Sequence, residues 1–207
     1  MAPHRIIAVD LALLLPDGVA GETRRLNALI SNRSGDRSIL LGTQRCLPHI
    51  TLAMAPLEQG RVSEAAEVLS SALERCAPLH LTISRISTVV TGAGHAVSGF
   101  DLEPAPPLLA LHQEIVDGLE AIRAFEPPAL CTGRGEESDA HMAGYVQHFL
   151  DHSARERYSP HITLGAGEAG DADTRFSLPH SFAVRRGAVC HVGRRGTCRQ
   201  ILAQTEI

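Results

Sequence analysis

Pro48-His49-Ile50-Thr51-Leu52 recurs unchanged as Pro160-His161-Ile162-Thr163-Leu164, 112 residues later in a chain of 207 residues. Each copy predicts the beginning of a β-strand, because proline suits a position that donates no ladder hydrogen bond. Alternate side chains of a strand point to opposite faces. The His and Thr of each copy therefore share one face, and the two aliphatic residues share the other, which we expect to be buried in a core.

The repeated His-x-Thr arrangement offers the groups that displacement at phosphorus requires. Two imidazoles with ordinary pKa values near ~6.5 can act at neutral pH as one base and one acid. Threonine hydroxyls can donate hydrogen bonds to the non-bridging oxygens of a phosphoryl group. If the two strands face each other, both pairs surround one small volume. The candidate catalytic residues are therefore His49, Thr51, His161 and Thr163.

Two H-x-T-x motifs with aliphatic x, about half a chain apart, resemble the signature of the 2H (two-histidine) phosphoesterase superfamily. That superfamily includes 2′-5′ RNA ligase-like proteins and cyclic nucleotide phosphodiesterases. The resemblance implies an α+β fold, in which residues 1–207 form a single domain of two pseudo-symmetric lobes of antiparallel sheet with outer helices around a central cleft. It implies catalytic roles for His49 and His161 and phosphate-holding roles for Thr51 and Thr163. No cofactor and no metal are expected.

The function expected from these motifs is that of a metal-independent phosphoesterase. Its substrates would be 2′,3′-cyclic phosphates or 2′-5′ phosphodiester bonds of nucleotides and RNA ends, and in reverse the same site could act as an ATP-independent 2′-5′ RNA ligase. Two alternatives stay open, namely a non-catalytic module that holds a nucleotide or RNA-end phosphate, and a phosphoesterase for a non-nucleotide cyclic phosphate. We expect a cytoplasmic monomer that binds neither DNA nor membranes.

The composition excludes several other kinds of enzyme. All 19 basic residues are arginine, so a lysine-containing phosphate-binding loop, a Schiff base and the lysyl-nucleotide intermediate of ATP-dependent ligases are impossible. The chain has no tryptophan and only seven Phe and Tyr residues, which argues against broad stacking platforms for single-stranded nucleic acid.

Positive charge is concentrated near the end of the chain. Residues 174–205 contain six arginines and no acidic residue, although the net charge of the whole chain is −4. A basic segment on an acidic protein predicts a surface that meets an anion such as phosphate. A solvated hairpin is the alternative interpretation.

Hydrophobic periodicity predicts an alternation of antiparallel strands and pairs of helices. The apolar run at 6–15 contains Asp10 and is too short to span a bilayer. Loops are expected at 125–138, a candidate insertion, and at 167–174. Hairpins are expected about 91–94 and about 193–196. Strands are predicted at 6–15, 38–41, 46–54, 79–88, 95–102, 158–165, 180–192 and 197–205, and helices at 21–31, 62–76, 108–122 and 139–153.

Three further features have more than one interpretation. His141, His148 and His152 lie on one face of a predicted helix, which we interpret as a solvated face rather than a metal site. Tyr158 is expected either to border the cleft or to cap the entrance of its strand. Asp10 would orient a catalytic histidine through its second ring nitrogen if the small-residue face of the first strand lines the cleft.

The chain has five cysteines, an odd number with no C-x-x-C pair. This pattern indicates neither a disulfide framework nor a zinc knuckle. Cys190 and Cys198 lie across the last predicted hairpin and are expected to be reduced structural thiols.

Overall fold

Eight strands and five helices alternate in the computed structural model, which describes residues 5–76, 78–91, 94–133, 136–137, 139–170 and 174–206. Short 3₁₀ turns occupy Gln59–Arg61, Arg155–Arg157 and Arg194–Gly196. The strands are β1 (Ile6–Leu14), β2 (His49–Glu58), β3 (Leu79–Val90), β4 (Ala96–Leu102), β5 (His161–Ala166), β6 (His180–Val184), β7 (Arg186–Val192) and β8 (Cys198–Glu206). The helices are α1 (Asp17–Ser34), α2 (Val62–Cys76), α3 (Pro106–Glu120), α4 (Ala140–Gln147) and α5 (Phe149–His152).

The strands form two four-stranded sheets, which confirms the predicted α+β fold. The first sheet has the order β2-β1-β7-β8 and the second β5-β4-β3-β6, and every strand pair is antiparallel. Helix α1 packs on β5, α2 packs on β7 and β8, and α3 packs on β2. The two strands that begin with the repeated motif, β2 and β5, are edge strands of different sheets and contact each other.

The predicted strand at 180–192 is wrong as a single element. Its first part, β6, pairs with β3 in the second sheet, whereas its second part, β7, pairs with β1 and β8 in the first sheet. The chain therefore passes from one sheet to the other at Arg185. The periodicity of a strand indicates which of its faces is buried, but not which strand pairs with it. This crossing between sheets therefore cannot be predicted from periodicity. The hairpin predicted about 193–196 is confirmed between β7 and β8.

The strand predicted at 38–41 is also wrong, because the side chain of Asn27 takes the place of a neighbouring strand. Its amide nitrogen donates to the carbonyl oxygens of Ile39 at 2.9 Å and Leu164 at 2.8 Å. Its amide oxygen accepts a hydrogen bond from the backbone N–H of Leu41 at 2.9 Å. One buried side chain on α1 thus satisfies two backbone groups of a loop and one of β5.

The boundaries of several helices and strands differ from those predicted from periodicity. Helix α1 begins at Asp17, four residues before its predicted start, and the Asp17 carboxylate in its first turn interacts favourably with the helix dipole. The helix predicted at 139–153 is divided at His148, whose φ of −109° is not helical. Strand β2 continues through Pro56 because an edge strand can accommodate a proline.

Parts of three predicted loops fall outside the described residues. These are residues 92 and 93 of the β3–β4 hairpin, residues 134, 135 and 138 of the candidate insertion, and residues 171–173 of the loop after β5. Strands β3 and β4, which flank residues 92 and 93, pair with each other, in agreement with the predicted hairpin. Within the described part of the chain, no helix has the length and apolar character needed to cross a membrane.

Cys190 and Cys198 form a disulfide bond, so their interpretation as reduced thiols is wrong. The two residues are not directly opposite in the ladder, where Cys190 pairs with Ile201 and Cys198 with Val192. Two register shifts between β7 and β8 nevertheless bring their Cα atoms within 5.4 Å, a separation that suits a disulfide. Spacing along the sequence does not reveal such shifts.

Replacing Asn27 with Ala is expected to lower the free energy of unfolding by about 2–4 kcal/mol, since buried backbone groups lose their partners. Urea denaturation at constant pH measures this loss. Asn32→Ala, an exposed position on the same helix, is the matched control and is expected to change stability by less than about 0.5 kcal/mol. Equal unfolding midpoints for the two variants would contradict the role given to Asn27.

Candidate active site

The two copies of the motif present the same pattern of burial on β2 and β5. Four aliphatic residues are completely buried, and these are Ile50, Leu52, Ile162 and Leu164. The four His and Thr side chains on the opposite faces are half-buried or exposed. The predicted division of each strand into a core face and a face that carries the polar groups is therefore confirmed.

A cavity of about 10 Å³, which is room for roughly one water molecule, is lined by residues of both copies of the motif. His49 of the first copy and Thr163 of the second lie on its wall. Thr51 and His161 do not line the cavity, but each lies two residues along the same strand face from a residue that does, a distance of about 7 Å. Both copies of the motif thus converge on one region of the molecule. The remaining lining residues are Ile39, Leu41, Pro48, Arg195, Gly196 and Thr197.

Both motif histidines are held by the main chain in the same way. The Nδ1 atom of His49 lies 2.7 Å from the carbonyl oxygen of Leu47, and Nδ1 of His161 lies 2.9 Å from that of Ser159. In each case the acceptor is two residues earlier in the chain. A carbonyl oxygen can only accept, so Nδ1 carries the proton and donates it. The Nε2 atom of His161 is therefore left to exchange a proton with a ligand, whereas Nε2 of His49 also lies 3.3 Å from a carboxylate oxygen of Asp10.

Asp10 on β1 contacts both polar residues of the first motif. Its Oδ2 atom accepts a hydrogen bond from the Thr51 hydroxyl at 2.8 Å and lies 3.3 Å from His49 Nε2. The side chain is completely buried, and its Oδ1 atom has no hydrogen-bond partner among the described residues. The small-residue face of β1 therefore lies beside the first motif. The prediction that Asp10 holds the histidine by its second nitrogen is wrong, because the Leu47 carbonyl takes Nδ1 and the carboxylate contacts Nε2.

The Asp10 carboxylate favours the charged form of His49. Burial alone would lower the pKa of this imidazole, whose side chain is only 10% exposed. The interaction with Asp10, its negative charge and the Leu47 carbonyl together outweigh burial and raise the pKa of His49 above its ordinary value. His49 is therefore suited to carry a proton at neutral pH.

His161 has a different environment on the open face of β5. Its neighbour across the ladder is Asp101 on β4, but the two oxygens of Asp101 accept hydrogen bonds from Arg85 at 2.7 Å and Ser87 at 2.6 Å. Among the described carboxylates, none forms an ion pair with His161. A side chain at Gly99 would crowd this strand, because its Cβ would lie 3.1 Å from the Ile162 carbonyl oxygen.

Tyr158 ties the segment that leads into the second motif to the first motif. Its hydroxyl donates to the Thr51 carbonyl oxygen at 2.9 Å, and its ring stacks on buried His112 with centroids 3.8 Å apart. His112 in turn bonds the Leu52 carbonyl through Nδ1 and accepts the Arg155 N–H at Nε2. Tyr158 therefore positions the two motif strands, and the expectation that its ring faces the cleft is not supported.

The basic segment has only one arginine on the cavity wall. Three of its arginines form ion pairs elsewhere, Arg175 with Glu22, Arg186 with Asp17 and Arg199 with Glu136. Arg195, at the tip of the β7–β8 hairpin, lines the cavity beside His49 and Thr163. Of the six arginines in the predicted anion-binding segment, Arg195 is therefore the one that lines the candidate site.

Other concave or histidine-rich regions are less suited to phosphate. A larger groove of about 450 Å³ between α2 and α3 contains no motif residue. Three glutamates and one arginine line it, and Arg75 is paired with Glu114 at 2.6 Å. The remaining negative charge of Glu64 and Glu67 would repel a phosphate. His141, His148 and His152 are all exposed, as expected for a solvated face. Within the described ranges, no group of three or more His, Cys, Asp or Glu residues is arranged to hold a metal ion.

Comparison with known proteins gives one matching sequence family and several solved structures of similar fold. The sequence model of the 2′-5′ RNA ligase superfamily matches residues 16–179. Solved structures with a similar fold include TT0787 of Thermus thermophilus, with 15% identity, a TM-score of 0.57 and 97% of each chain covered. Ligand-free LigT of E. coli has 16% identity, a TM-score of 0.55 and 98% of each chain covered.

LigT of E. coli has also been crystallised with ATP, in a structure with 13% identity, a TM-score of 0.54 and 98% coverage of each chain. At these identities the structural likeness concerns the fold alone. No curated protein sequence matches the chain.

Two site residues are harder to find from the sequence than the four motif residues. Asp10 is a charged residue within an apolar strand, and this irregularity is the one signal that points to it. Arg195 belongs to a basic segment with six arginines, and nothing in the sequence separates it from the other five. Only the folded hairpin shows which of them reaches the cavity.

The pKa of His49 is expected to lie above the ordinary histidine value near ~6.5, and the pKa of His112 below it. Asp10 raises the pKa of His49, whereas burial lowers the pKa of His112. NMR titration of the imidazole carbon-bound protons, assigned with single histidine variants, measures both. A pKa of His49 below that of His112 would contradict the electrostatic role of Asp10.

Proposed function

The chain belongs to the 2′-5′ RNA ligase superfamily, and from that premise we propose that it is a metal-independent phosphoesterase for nucleotides or RNA ends. The bonds proposed to be cleaved are 2′,3′-cyclic phosphates or 2′-5′ phosphodiesters, with the two motif histidines as the acid and the base. The observation that carries the proposal is the single cavity that His49 and Thr163, one residue from each motif, line together.

The environments of the two histidines support different roles. Asp10 stabilises a proton on His49, so His49 is proposed as the general acid. His161 has its Nδ1 proton directed to Ser159 and forms no ion pair with a described carboxylate, so its Nε2 is proposed as the general base. Thr51 and Thr163 are proposed to donate hydrogen bonds to the non-bridging phosphoryl oxygens.

In the proposed hydrolysis of a cyclic phosphate, His161 Nε2 removes a proton from water while the water oxygen forms a bond to phosphorus. The bond from phosphorus to one ribose oxygen breaks, and the Nε2 proton of His49 passes to that oxygen. The products are a phosphate monoester and a free hydroxyl. If the 5′-hydroxyl of a second RNA end takes the place of water, the same base removes its proton, the bond from phosphorus to the ribose 3′-oxygen breaks, and the acid protonates that oxygen. A 2′-5′ bond then forms without a nucleotide-activated intermediate, because the cyclic phosphate supplies the bond that is broken.

A nucleotide or RNA end is the proposed substrate class rather than DNA. A 2′,3′-cyclic phosphate and a 2′-5′ linkage both require the ribose 2′-oxygen, which DNA lacks. The binding of ATP by LigT of E. coli, a protein of similar fold, supports a nucleotide in the corresponding cleft.

Replacing either His49 or His161 with Ala is expected to reduce kcat/KM for 2′,3′-cyclic nucleotides by at least ~10²-fold, the scale of acid-base catalysis. His152→Ala, an exposed histidine on α5, is the control and is expected to retain full activity. Activity of the parent protein should persist in EDTA. Undiminished turnover by either motif variant would refute the roles, and binding of several cyclic nucleotides without conversion would favour a binding module.

Replacing Asp10 with Asn is expected to move the alkaline limb of the pH profile of kcat/KM to lower pH. The isosteric amide keeps an oxygen for the Thr51 hydroxyl but removes the charge that raises the pKa of His49. With a lower pKa, the proposed acid loses its proton at a lower pH. The profile of the parent protein is the reference. An unchanged alkaline limb together with a shifted acidic limb would exchange the acid and base assignments.

A further inference from the structure

The tip of the β7–β8 hairpin holds Arg195 in a conformation that its side chain disfavours. Its backbone angles are φ 58° and ψ 25°, in the left-handed region, and the next residue, Gly196, has a φ of 72°. Residues with a Cβ rarely adopt this region, and glycine or asparagine are the ones that tolerate it. The Arg195 N–H donates to Asp139 Oδ2 at 3.2 Å, so the start of α4 helps to hold the turn.

The guanidinium of Arg195 has no hydrogen-bond or ion-pair partner in the part of the chain that the structure describes. Asp36 is near enough for the charge of Arg195 to help lower its pKa, but the largest cause there is a hydrogen bond from Ser38. The side chain is half-buried, and Arg195 is one of the residues that line the cavity.

The neighbouring arginine provides a contrast on the same turn. Arg194 is exposed and does not line the cavity. Arg195 shares the wall with His49 and Thr163, the two residues that the proposed reaction places around phosphorus. Strained backbone that carries a functional group into a site is a known arrangement of binding sites.

We propose that the Arg195 guanidinium binds a non-bridging oxygen of a phosphoryl group that is held beside the cavity, where His49, Thr163 and Arg195 meet. The ligand class is a phosphate anion, free or as a nucleotide phosphate, and the planar guanidinium matches it through two parallel N–H donors. The identity of that phosphoryl group as the reacting one rests on the proposed function. In that case Arg195 also offsets the negative charge that develops on phosphorus during displacement.

The test measures binding of inorganic phosphate by titration calorimetry in the parent protein and in three variants. Arg195→Asn is expected to weaken binding by about ten-fold or more, since a hydrogen bond between charged groups is lost. Asparagine tolerates the left-handed backbone, so the urea midpoint of this variant should equal or exceed that of the parent. Arg195→Lys is expected to recover part of the affinity, and Arg194→Asn, the control, should bind within ~2-fold of the parent because exposed charges contribute little.

Equal phosphate affinity in Arg195→Asn and Arg194→Asn would overturn the proposal, as would weakened binding in Arg195→Asn accompanied by a lower urea midpoint. If Arg195→Asn does not fold, Arg195→Gln is judged by the same two criteria. Phosphate binding requires no turnover, so its result is independent of the cyclic nucleotide assay. If phosphate binding depends on Arg195 but the protein hydrolyses none of the substrates, the proposed esterase activity is wrong and the proposed phosphate site is supported.

Discussion

Burial of the aliphatic residues of both motif strands determines where the polar residues of the site lie. Ile50 and Leu52 in one sheet and Ile162 and Leu164 in the other have no solvent exposure. Because side chains alternate along a strand, this burial turns the histidine and threonine of each strand toward the opposite face. A shift of one residue in either strand would place imidazoles in the core and aliphatic groups in the cleft.

The two halves of the site resemble each other in backbone geometry and differ in charge. In both, Nδ1 faces a carbonyl two residues earlier, so Nε2 is the nitrogen of each ring that is turned away from the main chain. Only the first histidine has a buried carboxylate beside it among the described residues. A symmetric pair of imidazoles would have no preferred direction of proton flow, so we attribute the proposed division into acid and base to Asp10.

The sequence was sufficient for the α+β fold, most of the strands and helices and the burial pattern of the two motif strands, because these follow from local periodicity and an exact repeat. It was not sufficient for contacts between distant segments. The crossing at Arg185, the bonds that Asn27 makes and the position of Arg195 all depend on which segments become neighbours. Asp10 lies between these cases. Its charge within an apolar strand singles it out in the sequence, but its contacts with His49 and Thr51 are visible only in the structure.

The central claim is that both motif histidines contact one phosphoryl group. A crystal structure of the protein with a nucleotide 2′- or 3′-monophosphate tests it most directly. The account predicts one phosphoryl group with oxygens within about 3.2 Å of Nε2 of both His49 and His161. A phosphate bound outside the cleft, or one that contacts a single motif while the other imidazole lies beyond reach, would contradict it.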